Sequence, residues 1–160
     1  MEDQGIERTL VIIKPEGMED HKLFRDVLTR LDEIEGIEFI AATMYTCETP
    51  RDKKIAATYK EHEGKDFYEW FFPYFAGKQI HIAVYEGENA IEKVKELCGP
   101  TDPAAAREEA PDSLRALSDD DLTRSIEEKR MVRNIVHRSD NRDAARYEIG
   151  IWFPRLKCDE

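Results

Sequence analysis

Thr9-Leu10-Val11-Ile12-Ile13-Lys14-Pro15-Glu16-Gly17 decides the reading of this chain. Its short, β-branched apolar run predicts a buried strand. Pro15 and Gly17 then predict a turn, which leaves Lys14 at the strand's end. Three more strands follow from the same kind of pattern. They are Glu38 to Thr46, Ile80 to Tyr85, and Asn134-Ile135-Val136-His137.

Between the strands the spacing turns helical. Leu23, Phe24, Val27, Leu28, Leu31 and Ile34 recur at helical intervals, with Gly36 as the C-cap. Thr49-Pro50 predicts a capped helix running to about Glu63, where Gly64 breaks it. The aromatic stretch Phe67 to Phe75 predicts a short helix. Asn89 is the expected cap of a helix carrying Ile91, Val94, Leu97 and Cys98, closed by Gly99-Pro100. Asp140 is the expected cap of a last helix through Glu148, followed by the anchor Ile151-Trp152-Phe153. Residues 101–124 are rich in Ala, Pro and Asp with weak periodicity, and read as an extended surface loop with helical turns. The order predicts an α+β protein. We expect a ferredoxin-like βαββαβ sandwich, with a four-stranded antiparallel sheet covered by helices on one face and a long loop before the last strand. One domain is expected over residues 1–160, with its core at about 7–153 and a short polar tail at 154–160.

The chain has 160 residues, 24 Lys plus Arg and 35 Asp plus Glu, a net charge of −11. That excess argues against nucleic acid and anionic membrane as partners. Any polyanion must be held by a local cluster of cations. No apolar run approaches the length of a membrane span, and the acidic start Met1-Glu2-Asp3-Gln4-Gly5 has no signal-like core. A cytoplasmic protein is expected. Cys47, Cys98 and Cys158 are too scattered for a disulfide framework or a metal motif. Two buried thiols and one tail thiol are the expected reading. The four histidines show no metal spacing either, so no protein-held metal is expected.

Phosphate-cradling glycine motifs are absent, so side chains must hold any phosphate. His137 ends an apolar strand, inside Arg133-Asn134-Ile135-Val136-His137-Arg138-Ser139-Asp140. It is either an ordinary half-buried histidine or a nucleophile. Glu148, one helix further on, is placed to return and fix its tautomer. Lys14 ends another strand and reaches toward the same mouth.

Five segments in order are similar to the signatures of the nucleoside diphosphate kinase family. They are Thr9 to Gly17, Val84-Tyr85-Glu86-Gly87, Gly99-Pro100-Thr101-Asp102-Pro103, Arg133 to Asp140, and Glu148 to Phe153. The resemblance implies a ping-pong enzyme in which His137 takes the γ-phosphate of a nucleoside triphosphate and passes it to a nucleoside diphosphate. It implies that Glu148 holds the imidazole, Ser139 supports it, Tyr59 lies near it, and Lys14 reaches the transferred phosphate and the 3′-hydroxyl. Phe67 and Met131 would sandwich the base. Asn134 would bind the sugar hydroxyl, and His62, Lys95, Thr101 and Arg115 would contact phosphates. Mg2+ would arrive bound to the nucleotide phosphates, and the protein would be a dimer-based homo-oligomer, tetramer or hexamer.

Several residues depart from the family pattern. Lys95 stands in place of a phosphate-binding arginine and loses the bidentate fork. Arg138 replaces a small residue, where it either crowds the phosphohistidine or adds a cation to it. Ser113-Leu114-Arg115-Ala116 replaces a T-I-R-G-D run, so Arg124 is the alternative to Arg115. Asp20-His21-Lys22 replaces a glycine-bearing stretch near a subunit contact. The alternative function is a nucleotide-binding paralogue with weak or no phosphotransfer, acting as a regulatory module.

Overall fold

The computed structural model of the chain describes residues 5–156. In order they form β1 (Ile6–Ile13), α1 (Pro15–Glu19), α2 (His21–Asp32), β2 (Ile37–Thr46), α3 (Lys53–Thr58), α4 (Tyr68–Phe75), β3 (Gln79–Glu88), α5 (Ala90–Cys98), α6 (Pro103–Glu109), α7 (Leu122–Glu127), β4 (Val136–Arg138) and α8 (Arg142–Trp152). Single 3-10 turns occupy Lys60–His62 and Arg115–Leu117. The sheet order is β2-β3-β1-β4, every pair antiparallel. That is the expected ferredoxin-like topology.

β1 is the centre of the molecule. It pairs with β3 along its whole length, from Ile6 opposite Glu88 to Ile13 opposite His81. Its side chains alternate between two apolar layers. Leu10 and Ile12 pack with Ile55 of α3, Phe71, Phe72 and Phe75 of α4, and Ile149 and Trp152 of α8. Val11 and Ile13 pack with Val27 and Leu31 of α2 and with Ala90, Val94 and Cys98 of α5. Each of these β1 residues is at most 1% exposed. Burying one such side chain contributes on the order of 2 kcal/mol. Helices therefore cover both faces of the sheet, not the single face expected. The physical reason is that Leu10 to Ile13 are apolar in succession, so this part of the strand has no solvent-tolerant side.

The helix starts also differ from expectation. α3 begins at Asp52, whose carboxylate accepts from the N–H groups of Lys54 (2.9 Å) and Ile55 (3.0 Å); Thr49 lies ahead of it in a turn. Asn89 precedes α5 but is left-handed (φ 54°) and its side chain makes no cap. Glu7 reaches across from β1 to accept from Ile91 N–H at 2.9 Å in its stead. α8 is capped by Asn141, which accepts from Ala144 N–H at 2.8 Å, and not by Asp140. The helix runs on past Glu148 to Trp152. In all three cases the side chain that reaches the second or third free N–H wins.

The expected loop at 101–124 is more ordered than its composition suggests. It contains α6 and the start of α7. Asp102 joins them, accepting from Ala104 N–H and Leu122 N–H, both at 3.0 Å. Asp120, 2% exposed, holds Arg130 through two contacts of 2.7 and 2.8 Å and also accepts from Arg133 N–H at 2.9 Å. The guanidinium keeps the Asp120 carboxyl well below its usual range. This pair ties the α7 region to the segment entering β4. Cys47 and Cys98 are buried and free, and burial pushes their thiols up to about 12 and about 11. The expected tail thiol, Cys158, lies outside the described residues.

Gly87 sits where β3 passes β2. A Cβ there would lie 2.1 Å from the carbonyl oxygen of Gly36 and 2.9 Å from Ile37 Cδ1. Backbone cannot give way cheaply. We expect Gly87→Ala to cost about 2 kcal/mol or more and to lower the thermal midpoint by roughly 5 °C, as measured by calorimetry.

Candidate active site

β4 is three residues long and pairs Val11 with Arg138, Ile12 with His137, and Ile13 with Val136. Opposed residues in a strand pair share a face. His137 therefore joins Ile12 on the α3–α4–α8 side, while Val136 and Arg138 turn toward α2 and α5. This resolves one of the departures noted above. Arg138 does not crowd the His137 ring. It pairs with the Asp140 carboxylate on the α5 side of the sheet.

His137 Nε2 lies 3.2 Å from Glu148 Oε1. The approach is off the line of a straight hydrogen bond, so the carboxylate orients the ring electrostatically. Ser139 Oγ donates to the same oxygen at 2.8 Å and accepts from Leu10 N–H at 3.2 Å. Glu148 and Ser139 are both buried. Nε2 thus faces the carboxylate and Nδ1 is the nitrogen left for chemistry. Tyr59 meets the imidazole edge-on, with ring centres 5.3 Å apart, and stacks on Phe71 at 4.1 Å. Its hydroxyl is buried without a partner, and burial raises it far above the ordinary tyrosine range. His62 lies 5.1 Å from the Phe67 ring. Burial lowers its proton affinity, against the pull of Glu61. Met131 is buried in the cluster that Phe67 packs against.

A second group assembles where β1 ends and the chain enters β4. Asn134 Oδ1 accepts from Lys14 Nζ at 2.6 Å, and Asn134 Nδ2 donates to the Thr101 carbonyl at 2.9 Å. One amide thus joins three segments that are distant in sequence. Next to it Ile135 is held in a left-handed conformation (φ 75°), an uncommon and costly state for a β-branched residue. Lys14 is 4% exposed. Burial pushes its ammonium down to about 7; Glu16 pulls the other way and Arg115 adds to the fall.

Arg115 is also buried. It donates from Nη1 to the Gly99 carbonyl at 3.0 Å and from Nη2 to the Val136 carbonyl at 2.9 Å, while Nε has no partner. Arg124 is exposed on α7, facing Asp120 at 3.7 Å and Glu128 at 3.6 Å. Of the two arginines, Arg115 is the one brought to β4. Lys95 donates to the Asp140 carbonyl at 3.2 Å and lies 3.6 Å from Glu92. Thr101 is exposed at the rim.

Sequence reasoning missed Glu16. It treated the residue as turn material, yet Glu16 Oε2 accepts from Ile135 N–H at 2.8 Å and its other oxygen takes the Tyr74 hydroxyl. A carboxylate two residues after a strand-end lysine was the available signal. Among the described residues, no group of three or more His, Cys, Asp or Glu is arranged to hold a metal ion. Ser139→Ala would leave Leu10 N–H unpaired in the core and remove a donor from buried Glu148. We expect a loss of about 1–2 kcal/mol in urea unfolding.

The fold and the site together define an α+β domain with a carboxylate-oriented histidine beside a row of buried cations. The family model for nucleoside diphosphate kinase matches residues 7–158, and the chain belongs to that family. The nucleoside diphosphate kinase of Aquifex aeolicus is 35% identical over 153 residues, covering 96% of this chain and 98% of that protein. The crystal structure of the Aquifex aeolicus protein superposes with a TM-score of 0.81, covering 97% of this chain and all of that one, at 34% identity. A halophilic nucleoside diphosphate kinase from Halobacterium salinarum, solved in complex with CDP, superposes at 0.77 with 26% identity, covering 97% of this chain and 94% of that one.

Proposed function

We propose that the chain is a nucleoside diphosphate kinase that works through a phosphohistidine at His137. The observation that carries this is the His137–Glu148–Ser139 arrangement in a chain of that family. A neutral imidazole with its proton on Nε2, facing Glu148, leaves the Nδ1 lone pair free to attack. In the first half-reaction Nδ1 attacks the γ-phosphorus of a nucleoside triphosphate. A nitrogen–phosphorus bond forms, and the bond from phosphorus to the bridging oxygen breaks to release the diphosphate. In the second half-reaction the terminal phosphate oxygen of another nucleoside diphosphate attacks that phosphorus and frees the imidazole.

The transition state spreads negative charge over the transferred group, so positioned cations supply most of the catalysis. Lys14 and Arg115 are the buried cations, with Lys95, Thr101 and His62 toward the rim. Asn134 is assigned the sugar hydroxyl. Phe67 and Met131 are assigned the base, whose flat face stacks without edge readout. The nucleotide enters as its Mg2+ complex, with the metal on the phosphate oxygens as part of the substrate.

We further propose one domain over residues 1–160, a cytoplasmic location and a dimer-based tetramer or hexamer. Two observations support these assignments. No helix among the described residues is long and apolar enough to cross a membrane. Phe39 and Met44 on the edge strand β2 are 55% and 50% exposed, apolar surface that an assembly would cover.

Incubation with γ-labelled Mg-ATP should give one acid-labile phosphate per chain, and His137→Ala should reduce it to background. Equal labelling of the variant, or none in the wild type, would sink the proposal. Lys14 supplies a second test. Its ammonium titrates near 7 in the free protein. A bound phosphate favours the charged form, so binding at about pH 8 should take up as much as one proton per site. Calorimetry of ADP binding in buffers of different ionisation enthalpy measures that uptake directly.

A further inference from the structure

The inference concerns Glu16 and rests on the kinase reading of the site. Glu16 lies in the first turn of α1, two residues after Lys14. Its two carboxylate oxygens have separate tasks. Oε2 accepts from the N–H of Ile135 at 2.8 Å. Oε1 takes the hydroxyl of Tyr74, on α4. The N–H of Lys14 donates back to the Ile135 carbonyl at 2.7 Å, and Lys14 Nζ donates to Asn134 Oδ1 at 2.6 Å. The end of β1 and the turn entering β4 are therefore clasped by three bonds, all involving Lys14 or Glu16. The clasp adds to a backbone bond from Val136 N–H to the Asn134 carbonyl (2.8 Å), which closes the turn around left-handed Ile135 (φ 75°).

The charges around Lys14 make Glu16 more than a clasp. Arg115 faces it from the turn after α6 and opposes its charge. Tyr74 on α4 lies beyond Glu16, with Arg133 on that side too. His137 on β4 and Glu148 on α8 form their own pair further along the sheet. Asn134 is neutral. Of these groups, Glu16 is the anion that acts on the Lys14 ammonium, and it opposes the effect of burial on that charge.

We propose that Glu16 is a positioning residue for phosphoryl transfer. Its carboxylate helps hold the Asn134–Ile135 turn in place and is the counter-charge that favours the ammonium form of buried Lys14. Near neutral pH a larger share of Lys14 thus meets the incoming phosphate as a cation, although it is enclosed with Arg115 before the phosphate arrives.

Glu16→Gln separates the two tasks. A glutamine oxygen still accepts from Ile135 N–H and its amide can donate to the Tyr74 oxygen, so only the charge is lost. Two readouts apply. The first is the 13Cε NMR titration of Lys14 in the free protein, which needs no activity. The second is the pH profile of His137 labelling by γ-labelled Mg-ATP in a single turnover. In Glu16→Gln we expect the Lys14 titration and the alkaline limb of labelling to move together, about one pH unit or more to lower pH. A uniform loss of rate at every pH, with Lys14 titrating as in the wild type, would mean that Glu16 is only structural and would overturn the proposal. Tyr74→Phe keeps the charge and should leave the Lys14 titration within a few tenths of a unit.

Should Glu16→Gln fail to fold, Glu16→Asp decides. It keeps the charge and shortens the reach, so labelling should slow while the titration stays near that of the wild type. A titration that falls despite the retained carboxylate counts against the proposal. If Lys14 responds as expected but the wild type acquires no phosphate, the kinase reading fails and the role of Glu16 as counter-charge stands.

Discussion

Three residue pairs between β1 and β4 fix the face that every group at the site takes. Val11 lies opposite Arg138, Ile12 opposite His137, and Ile13 opposite Val136. A slip of one residue would carry His137 to the α2–α5 side and bring Arg138 against Glu148. A three-residue strand has little intrinsic hold on its register. The register is fixed from outside, by Ser139 Oγ on Leu10 N–H at one end and by Lys14 N–H on the Ile135 carbonyl at the other. Both fastenings use residues that also line the site. Packing, register and chemistry are thus coupled through the same few side chains.

Charge follows a similar division. The chain carries a net −11, yet two cations are buried near β4, Lys14 at 4% and Arg115 at 5% exposure. Leaving a cation in such a place is unfavourable, which is why burial pushes the Lys14 ammonium down to about 7. On the proposed reading, a phosphate entering the site would relieve this cost. The acidic excess covers the outer surface, where it discourages large polyanions without reaching the enclosed cations.

Much of this was legible in the sequence, for identifiable reasons. Strands β1 and β3 carry many β-branched residues, so pattern located them; His137, Glu148, Lys14 and Asn134 sit inside motifs that resemble a family's signatures, and that resemblance pointed to their roles. The helix caps were less legible because several side chains competed for each end. Asp52, Glu7 and Asn141 won by reach, and one of them comes from a strand 84 residues away. The helices within residues 101–124 were hidden by composition, since their order rests on Asp102 and Asp120 bonding across the loop. Glu16 was hidden because its partners, Ile135 and Tyr74, are 119 and 58 residues distant. No local rule registers such a contact.

The outer edge of the sheet carries a last consequence. In β4 the carbonyl of Val136 points away from β1, as the unpaired acceptor of an edge strand does. Such groups recruit foreign strands and seed aggregation. Arg115 occupies this one with Nη2 at 2.9 Å and spans to the Gly99 carbonyl with Nη1. The guanidinium therefore also acts as a selvedge, finishing the sheet so that it does not unravel into its neighbours. If Arg115 also meets the phosphates as proposed, one side chain then serves both the sheet edge and the site.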